Sequence, residues 1–453
     1  MNELNIEDLL EQVIELLNNK KYKDIKAIVK DMNEYDIATI LDELEDENRL
    51  IFFRLLPKDM AADVFSFLDQ DSQAHIINSI TDKELKAIVN DLYIDDAVDV
   101  LEELPAIVVK RVLRNANKET RELINQYLKY EENSAGSIMT AEYVSLKKKM
   151  TVKDSFDHIR KTCADKETIY DCYVLDATGH LEGMVTVREL LRNPYETVIS
   201  DIMETNILSV ETDIDREEVA QKFNDYDLLS MPVVDKENRM VGIVTIDDVV
   251  DVMEEEVTED FEKMAAMVPS EKPYLKTGVF TLSKHRIMWL AILMISSIFT
   301  GIILGKYEAA FAAMPILVTF IPMLMDTGGN AGSQSSTLII RGMATNEIGL
   351  KDVGKVVFKE LRVGLIVGLS LAVLNFIRLI IQYPGQYQVA LVVCLALIVT
   401  VVVAKVIGGI LPMAAKAIHI DPAIMASPLI TTIVDAVSLM VYFSLATTIL
   451  GMA

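Results

Sequence analysis

The sequence predicts a multidomain chain: an all-α superhelical N-terminal domain, two α/β modules in tandem, an acidic connecting helix and an all-α transmembrane domain of five helices. Three observations predict this. The 453 residues exceed what one hydrophobic core usually organises. Residues 281–453 hold 7 acidic and 11 basic side chains, against 61 and 32 in residues 1–280. Apolar runs near the ~20 residues that cross a bilayer lie in residues 281–453.

The first predicted domain, residues 1–131, consists of short amphipathic helices with almost no glycine. Three variants of one phrase recur: DIATILDEL from Asp36, DMAADVFSFL from Asp59 and DDAVDVLEEL from Asp95. Short helices that cannot bury a face alone favour a superhelical stack. The strongly acidic surface repels nucleic acid and attracts cations, so we expect no nucleic-acid partner.

Residues 132–198 and 199–255 repeat one order of parts, an "IM" phrase, a helix, two strands joined by a turn, and a final helix. The second strands read GMVTV and GIVTI. The matched pair resembles tandem cystathionine-β-synthase (CBS) domains, many of which bind adenine nucleotides. By that resemblance Arg188 would meet phosphate, and Thr245 and Asp248 would meet ribose. A structural role for these residues fits equally, so whether ATP binds stays open.

An acidic helical pattern over residues 247–267 leads into the connecting segment, residues 256–280. Its carboxylates recur every three or four residues, and like charges one turn apart oppose each other. Divalent cations bridging the helix to the acidic domain would compensate. An exposed, solvated connecting helix explains the same charges equally well.

Five apolar spans are predicted in residues 281–453, and their approximate ranges are 287–304, 309–326, 361–381, 388–411 and 428–450. Lys and Arg cluster before the first span, between the second and third, and between the fourth and fifth. The positive-inside rule then places the N-terminal domains in the cytoplasm and the C-terminus outside the cell, in a multi-pass protein of the plasma membrane.

The last span carries a carboxylate, Asp435, in its interior. Ser427, Thr431 and Asp435 are spaced four residues apart and share one helix face, which must meet protein or water. An acid in hydrocarbon is costly, so an ion pathway is the first hypothesis. A buried ion pair with Arg378 or Lys405 is the alternative.

Small, oxygen-bearing residues follow the second span in the phrase DTGGNAGSQSST, residues 326–337. Glycines there allow close approach of backbones, and irregular chain at membrane depth lies only against protein or water. A pathway lining, a helix break and a tight packing seam all fit this composition.

With this phrase and SPLITTIVDAVSLMVYF, the order of parts resembles the MgtE family of magnesium transporters along essentially the whole chain. The resemblance implies a homodimer embedded in lipid, with the pore between two copies and Asp435 as the main cation site. It extends the pore lining to Asp326, Gly329, Ser333, Thr337, Ser427 and Thr431. Some relatives have Gly at the place of Asp326 and Asn at the place of Ser333, so coordination in this chain is expected to differ in detail.

The resemblance also implies that cytosolic Mg²⁺ binds the acidic domains and holds the pore shut. The regulatory candidates by position are Asp95, Asp99, Asp215, Asp227, Asp248, Asp251, Glu256, Glu259, Asp260 and Asp421. Mg²⁺ prefers oxygen ligands and keeps much of its water, which suits a pathway with few carboxylates and many hydroxyls. Mn²⁺, Co²⁺ and Ni²⁺ share the preference for oxygen.

We therefore expect a channel-like Mg²⁺ importer that is not an enzyme. A membrane-anchored CBS sensor whose spans conduct nothing, and a transporter of another divalent cation, are the alternatives. The sequence lacks a GxxxxGK[ST] motif, which argues against an ATP-driven pump but does not separate a channel from a coupled carrier.

Overall fold

The computed structural model describes residues 6–451 except 59, 103, 105, 271–273 and 276. The chain divides into two compact units, Met1–Met253 and Glu254–Ala453. The first contains the acidic helical domain and the two α/β modules, and the second contains the long apolar helices.

In the described residues, ten helices build the first part of the first unit, in agreement with the all-α prediction for this region. Their apolar faces form one core in which Ile25, Ile37 and Ile76 are fully buried. The helices are α1 (Ile6–Asn18), α2 (Tyr22–Val29), α3 (Glu34–Glu43), α4 (Asp46–Phe53), α5 (Ala61–Ser66), α6 (Gln70–Ser79), α7 (Asp82–Asp91), α8 (Ile94–Glu102), α9 (Ala106–Asn115) and α10 (Lys118–Tyr127).

Side chains at both helix ends fix these boundaries. Asp69 and Asn117 each accept a hydrogen bond from a backbone N–H in the first turn, and Thr81 forms a reciprocal capping box with Glu84. At the other end, the Arg49 guanidinium donates to the carbonyls of Leu41, Asp42 and Leu44. Such bonds satisfy the carbonyls that a helix end leaves unpaired.

The two α/β modules have the same topology, as the repeated phrases predict. In each, a parallel pair of strands is extended by an antiparallel third strand, in the orders β1-β2-β3 and β4-β5-β6. The first comprises β1 (Val144–Leu146), α11 (Val152–Thr162), β2 (Asp171–Leu175), β3 (Leu181–Thr186) and α12 (Val187–Arg192). The second comprises β4 (Val210–Glu211), α13 (Arg216–Tyr226), β5 (Ser230–Val234), β6 (Met240–Thr245) and α14 (Ile246–Met264).

A buried polar contact joins the two modules. Ser230, at the start of β5, donates to Asp171 Oδ2 over 2.8 Å and lies 2.7 Å from the Tyr173 hydroxyl. Because all three groups find partners, the contact fixes the relative position of β2 and β5 at little cost.

Helix α14 is the acidic helix that the charge pattern predicts. It begins at Ile246, directly after β6, and ends at Met264, three residues earlier than predicted. Ala266 then adopts a left-handed conformation with φ 54°, which ends the helical path.

Four helices in the described part of the second unit are long and apolar enough to cross a membrane: α15 (Val279–Lys306), α18 (Val353–Gln382), α19 (Tyr387–Ala417) and α20 (Ser427–Leu450). They correspond to the first, third, fourth and fifth predicted spans. Four of the five predicted spans are therefore confirmed.

The boundaries of the second predicted span, 309–326, are wrong. The apolar run is divided among α16 (Glu308–Ala313), a 3-10 segment (Pro315–Phe320) and α17 (Ile321–Ala344). Pro315 and Pro322 each lie at a helix start, where proline is tolerated, and neither fits within a continuous helix. Helix α17 instead continues through the polar phrase, so that phrase is not a helix break.

Glycines of α17 bring its backbone against α19 and α20. A Cβ added at Gly408 of α19 would lie 2.2 Å from the carbonyl oxygen of Gly332, and one at Gly332 would lie 2.7 Å from Ile430 Cγ2. The glycine side of the polar phrase is thus a tight packing seam, one of the three interpretations that its composition allowed.

Candidate functional site

Helix α20 places Asp435 in the middle of 24 residues that are otherwise mostly apolar. Its Oδ1 atom is buried and has no hydrogen-bond partner among the described residues. The two bases proposed as ion-pair partners lie elsewhere: Arg378 donates to Met323 Sδ over 3.5 Å, and Lys405 donates to the Ala331 carbonyl over 3.4 Å. The structure therefore does not support the ion-pair alternative.

Helix α17 brings a second carboxylate towards Asp435. Asp326 lies within electrostatic range of Asp435 and is itself exposed in the single chain. One turn further, Gly329 packs on Thr431, because an added Cβ would lie 2.9 Å from Thr431 Cγ2. The predicted residues of the two helices are thus brought together, with Thr431 and Asp435 facing the start of the polar phrase.

The remaining predicted pore residues extend this face. The Ser333 hydroxyl donates to the Gly329 carbonyl over 2.9 Å, and Thr337 lies one turn beyond Ser333 and is exposed. Asp326, Asn330 and Thr337, all exposed, share this side of α17. Ser427 begins α20, but its side chain lies outside the described ones.

Two hydroxyls near Gly328 were not among the predicted pore residues, although the spacing in the last span places Ser438 on its polar face. A Cβ added at Gly328 would lie 2.8 Å from Thr400 Cγ2 and 3.0 Å from Ser438 Oγ, so both side chains surround this glycine. Both hydroxyls are buried without a hydrogen-bond partner in the described part of the chain. A threonine inside an apolar run such as that of α19 is the signal that could have indicated Thr400.

In the first unit, Asp95 of α8 and Asp248 of α14 lie within electrostatic range of each other. Asp95 is 8% exposed, and its Oδ1 atom has no hydrogen-bond partner among the described residues. Burial, followed by the neighbouring Asp248 carboxylate, raises the pKa of Asp95 well above its usual value. Burial is also the main cause that raises the pKa of Asp248 to about 7. A buried acid with an unpaired oxygen, close to a second acid that is half-buried, fits a divalent cation.

Other acids surround this pair and were not predicted. Burial, followed by the Asp247 carboxylate, raises the pKa of Glu167 to about 7, and burial, followed by Asp63, raises that of Asp96 to about 6. Within the described chain, no three His, Cys, Asp or Glu side chains converge as a metal-ligand group.

Two predicted regulatory residues lie at the ends of α13, and others are exposed or half-buried. Asp215 caps α13 by accepting a hydrogen bond from the Glu217 backbone N–H over 2.8 Å, and Asp227 ends the same helix with φ 52°. Asp99, one turn after Asp95, and Asp251 are exposed, and Glu256 is half-buried. Thr245 donates to Asp248 over 2.6 Å.

The remaining regulatory candidates, Glu259, Asp260 and Asp421, lie around a lysine that no sequence pattern indicated. Lys263 Nζ lies 2.5 Å from Glu259 Oε1 and 2.6 Å from Asp421 Oδ2. Burial alone would lower the pKa of Lys263, but these two bonds outweigh it and raise the pKa. Burial, followed by Asp421, raises the pKa of Asp260. An ammonium group therefore already neutralises part of this cluster.

Fold and site together define a class: membrane proteins that join an acid-bearing helical membrane domain to a regulatory CBS pair. Family comparisons match residues 321–445 to "MgtE: Divalent cation transporter", residues 32–133 to "MgtE intracellular N domain", and residues 135–196 and 199–255 to "CBS domain". The chain belongs to the MgtE family of magnesium transporters.

Two curated relatives are similar over nearly their whole length. The magnesium transporter MgtE of Thermus thermophilus is 36% identical over 97% of this chain and 98% of its own. That of Bacillus subtilis is 30% identical over 98% of both chains. The solved cytosolic domain of "the Mg2+ channel MgtE in complex with ATP" is 36% identical, with a TM-score of 0.52, and matches 54% of this chain and 99% of its own.

Proposed function

We propose that this chain is a homodimeric, channel-like Mg²⁺ importer whose pore is lined by α17 and α20 and is closed by cytosolic Mg²⁺. The observation that carries the proposal is the polar side of α17, on which Asp326, Asn330 and Thr337 are exposed in a single chain. Polar groups at membrane depth are costly in lipid, so this side needs water or protein.

A second copy of the chain supplies such an environment. A two-fold axis beside α17 would bring two copies of Asp326 and Asp435 around one passage. The passage would then offer four carboxylates together with hydroxyl and carbonyl oxygens from Ser333, Thr337 and Thr431. Hard oxygen ligands suit Mg²⁺ that keeps most of its water, and they also accommodate Co²⁺, Ni²⁺ and Mn²⁺.

Charge outside the spans supports the direction of insertion. Lys351 precedes α18, Lys355 lies in its first turn and Lys416 lies in the last turn of α19, whereas Lys306 is the basic residue at the α15–α16 junction. The positive-inside rule then places the acidic domains in the cytoplasm, the C-terminus outside the cell and the chain in the plasma membrane.

Acids that lie close together support closure by cytosolic Mg²⁺. Asp95 is buried within electrostatic range of the half-buried Asp248, and Glu259, Asp260 and Asp421 lie around one lysine. An ion that binds these groups only when they are close together stabilises that arrangement, as a gating ligand requires. When the ion leaves, repulsion between the carboxylates favours separation.

ATP is the second ligand that we propose for the CBS pair. The supporting observation is the ATP complex of the similar cytosolic domain. Arg188 is exposed at the start of α12, where it could meet phosphate, and Asp248 is engaged by Thr245. Because Asp248 belongs to both candidate sites, ATP and Mg²⁺ would influence each other's binding.

Uptake into proteoliposomes tests the transport proposal. Wild type should take up Mg²⁺ down its gradient, and Asp435→Ala should lose nearly all uptake, because it removes the central carboxylate of each subunit. Asp352→Asn is the matched control, since Asp352 is an acid ion-paired with Lys355 at the cytoplasmic end of α18. Equal uptake by wild type and Asp435→Ala would favour a membrane-anchored sensor, and higher uptake of Co²⁺ than of Mg²⁺ would favour another cation.

A further inference from the structure

A buried charged network links three helices of the membrane domain. Lys405 of α19 directs its Nζ atom to the Ala331 carbonyl, Gln334 Oε1 and Ser335 Oγ of α17, each over 3.4 Å. Ser335 in turn donates to Glu360 Oε2 of α18 over 2.5 Å. The lysine and the glutamate thus share one serine as a bridge.

Both charged residues are taken out of solvent. Lys405 is 5% exposed, Glu360 is 8% exposed and Ser335 is 1% exposed. Charges at membrane depth are retained only with a partner and a use, because each is costly in hydrocarbon. Each charge in the network has a partner. Helix packing alone does not explain the charges, since hydrophobic residues could hold the same helices together.

The position of the network indicates the use. Gln334 and Ser335 directly follow Ser333 on α17, the helix that carries the proposed pore lining. The neighbouring contact of Gly332 with Gly408 leaves no space for α17 and α19 to shift past each other. The positive charge of Lys405 is therefore held at a fixed distance behind the pathway.

We propose that Lys405 and Glu360 set the electrostatic potential of the cation pathway, and so determine how strongly it attracts a divalent ion. This inference rests on the proposed transport function. Lys405 repels the ion and Glu360 attracts it, through a medium of low dielectric constant in which charges act over longer distances than in water. The pair keeps the site weak enough to release the ion, as conduction requires.

The proposal predicts opposite effects of two substitutions. Lys405→Met leaves Glu360 without its counter-charge, so the Mg²⁺ concentration for half-maximal uptake should fall about fivefold. Glu360→Gln keeps the acceptor for Ser335 but leaves Lys405 unbalanced, so this concentration should rise about fivefold. The double variant removes both charges and should lie between the two, near wild type.

Mg²⁺ uptake by full-length protein in proteoliposomes, measured over a range of Mg²⁺ concentrations, tests this prediction. If the pair were merely structural, both single variants would shift the half-maximal Mg²⁺ concentration in the same direction and would lower the maximal uptake. That result would overturn the inference. Glu360→Gln is nearly isosteric and keeps the test decisive even where Lys405→Met does not fold. If wild type itself takes up no Mg²⁺, the transport proposal fails; if it does and the two shifts share a sign, only this inference fails.

Discussion

Asp435 shows how much the position of one residue in a sequence can indicate. A carboxylate inside a 24-residue membrane helix is costly, and the sequence alone indicates that it needs a cation or water. Thr431, one turn earlier on the same helix, follows from the spacing, whereas spacing cannot indicate Asp326, because helix packing brings α17 to α20. Lys405 illustrates the limit: its charge was visible in the sequence, but its pairing through Ser335 depends on three helices.

Asp326 supplies the first prediction at the residue scale. Asp326→Asn preserves shape but removes a charge within electrostatic range of Asp435, so attraction for a divalent ion should weaken by about 1–2 kcal/mol. The Mg²⁺ concentration for half-maximal uptake should rise about tenfold. Glu308→Gln, an exposed acid at the start of α16, is the control. An unchanged concentration for Asp326→Asn would remove Asp326 from the pathway.

Helix α17 shows which properties of an element the sequence hides. Counting apolar residues placed a span at 309–326, but Pro315 and Pro322 divide that run. The glycines and serines that look like a loop instead form part of a 24-residue helix, because neighbouring helices pack closely against them. Local composition favours a break, and tertiary packing reverses that preference.

The crossing of α17 and α19 gives a prediction at the scale of elements. Gly408→Ala adds a Cβ only 2.2 Å from the Gly332 carbonyl oxygen, so backbone must move and stability should fall by at least ~2 kcal/mol. Thermal unfolding in detergent should show a lower midpoint. Gly301→Ala is the matched control, because that helical glycine of α15 has no atom within 4 Å of its added Cβ. A similar midpoint for both variants would contradict the close crossing.

The neighbouring acids of α8 and α14 give a prediction about pH. Asp248 has a pKa of about 7 in the folded chain and 3.8 in an unfolded one, so the folded state binds more protons between these values. Without divalent ions, stability should therefore decrease as pH rises from about 4 to about 7 and then level off. Mg²⁺ replaces the lost protons, so it should stabilise the protein strongly above pH 7 and weakly below pH 5.

Thermal unfolding with and without Mg²⁺ measures this difference. We expect the midpoint to rise by about 5 °C with saturating Mg²⁺ at pH 8 and to change little at pH 5. Asp248→Asn should reduce the shift at pH 8, whereas Asp213→Asn, which breaks an exposed ion pair with Lys236, should leave it intact. A shift of equal size at both pH values would contradict binding at these acids.

For the whole molecule, the order of domains was the most predictable property. The charge imbalance, the repeated module and the apolar runs each extend over many residues. An error in assigning a single residue therefore does not change the predicted order of domains. The acidic sites were less predictable. Asp215 and Asp227 lie at the ends of α13. No sequence pattern indicated Glu167 or Lys263, yet both lie close to the candidate acids. A list of acids does not show which of them face each other.

Regulation of the complete transporter provides the last prediction. In the double variant Asp95→Asn with Asp248→Asn, the amides neither repel each other nor attract Mg²⁺, so the ion loses one of its means of favouring the closed state. Because burial raises the pKa of Asp248 to about 7, protons neutralise part of the repulsion at neutral pH, and bridging by the ion adds to their effect. The variant should therefore stay open as Mg²⁺ rises on the cytoplasmic side.

Mg²⁺ uptake into proteoliposomes loaded with increasing internal Mg²⁺ measures closure, provided that the inward gradient is held constant. Wild-type uptake should fall as internal Mg²⁺ rises, and the double variant should need about tenfold more for the same fall, which corresponds to ~1.4 kcal/mol of lost coupling. Asp213→Asn again serves as the control, because it removes an exposed acid of the same unit. If the double variant closes over the same range as wild type, Mg²⁺ acts elsewhere, and the cluster of Glu259, Asp260 and Asp421 around Lys263 becomes the site to test.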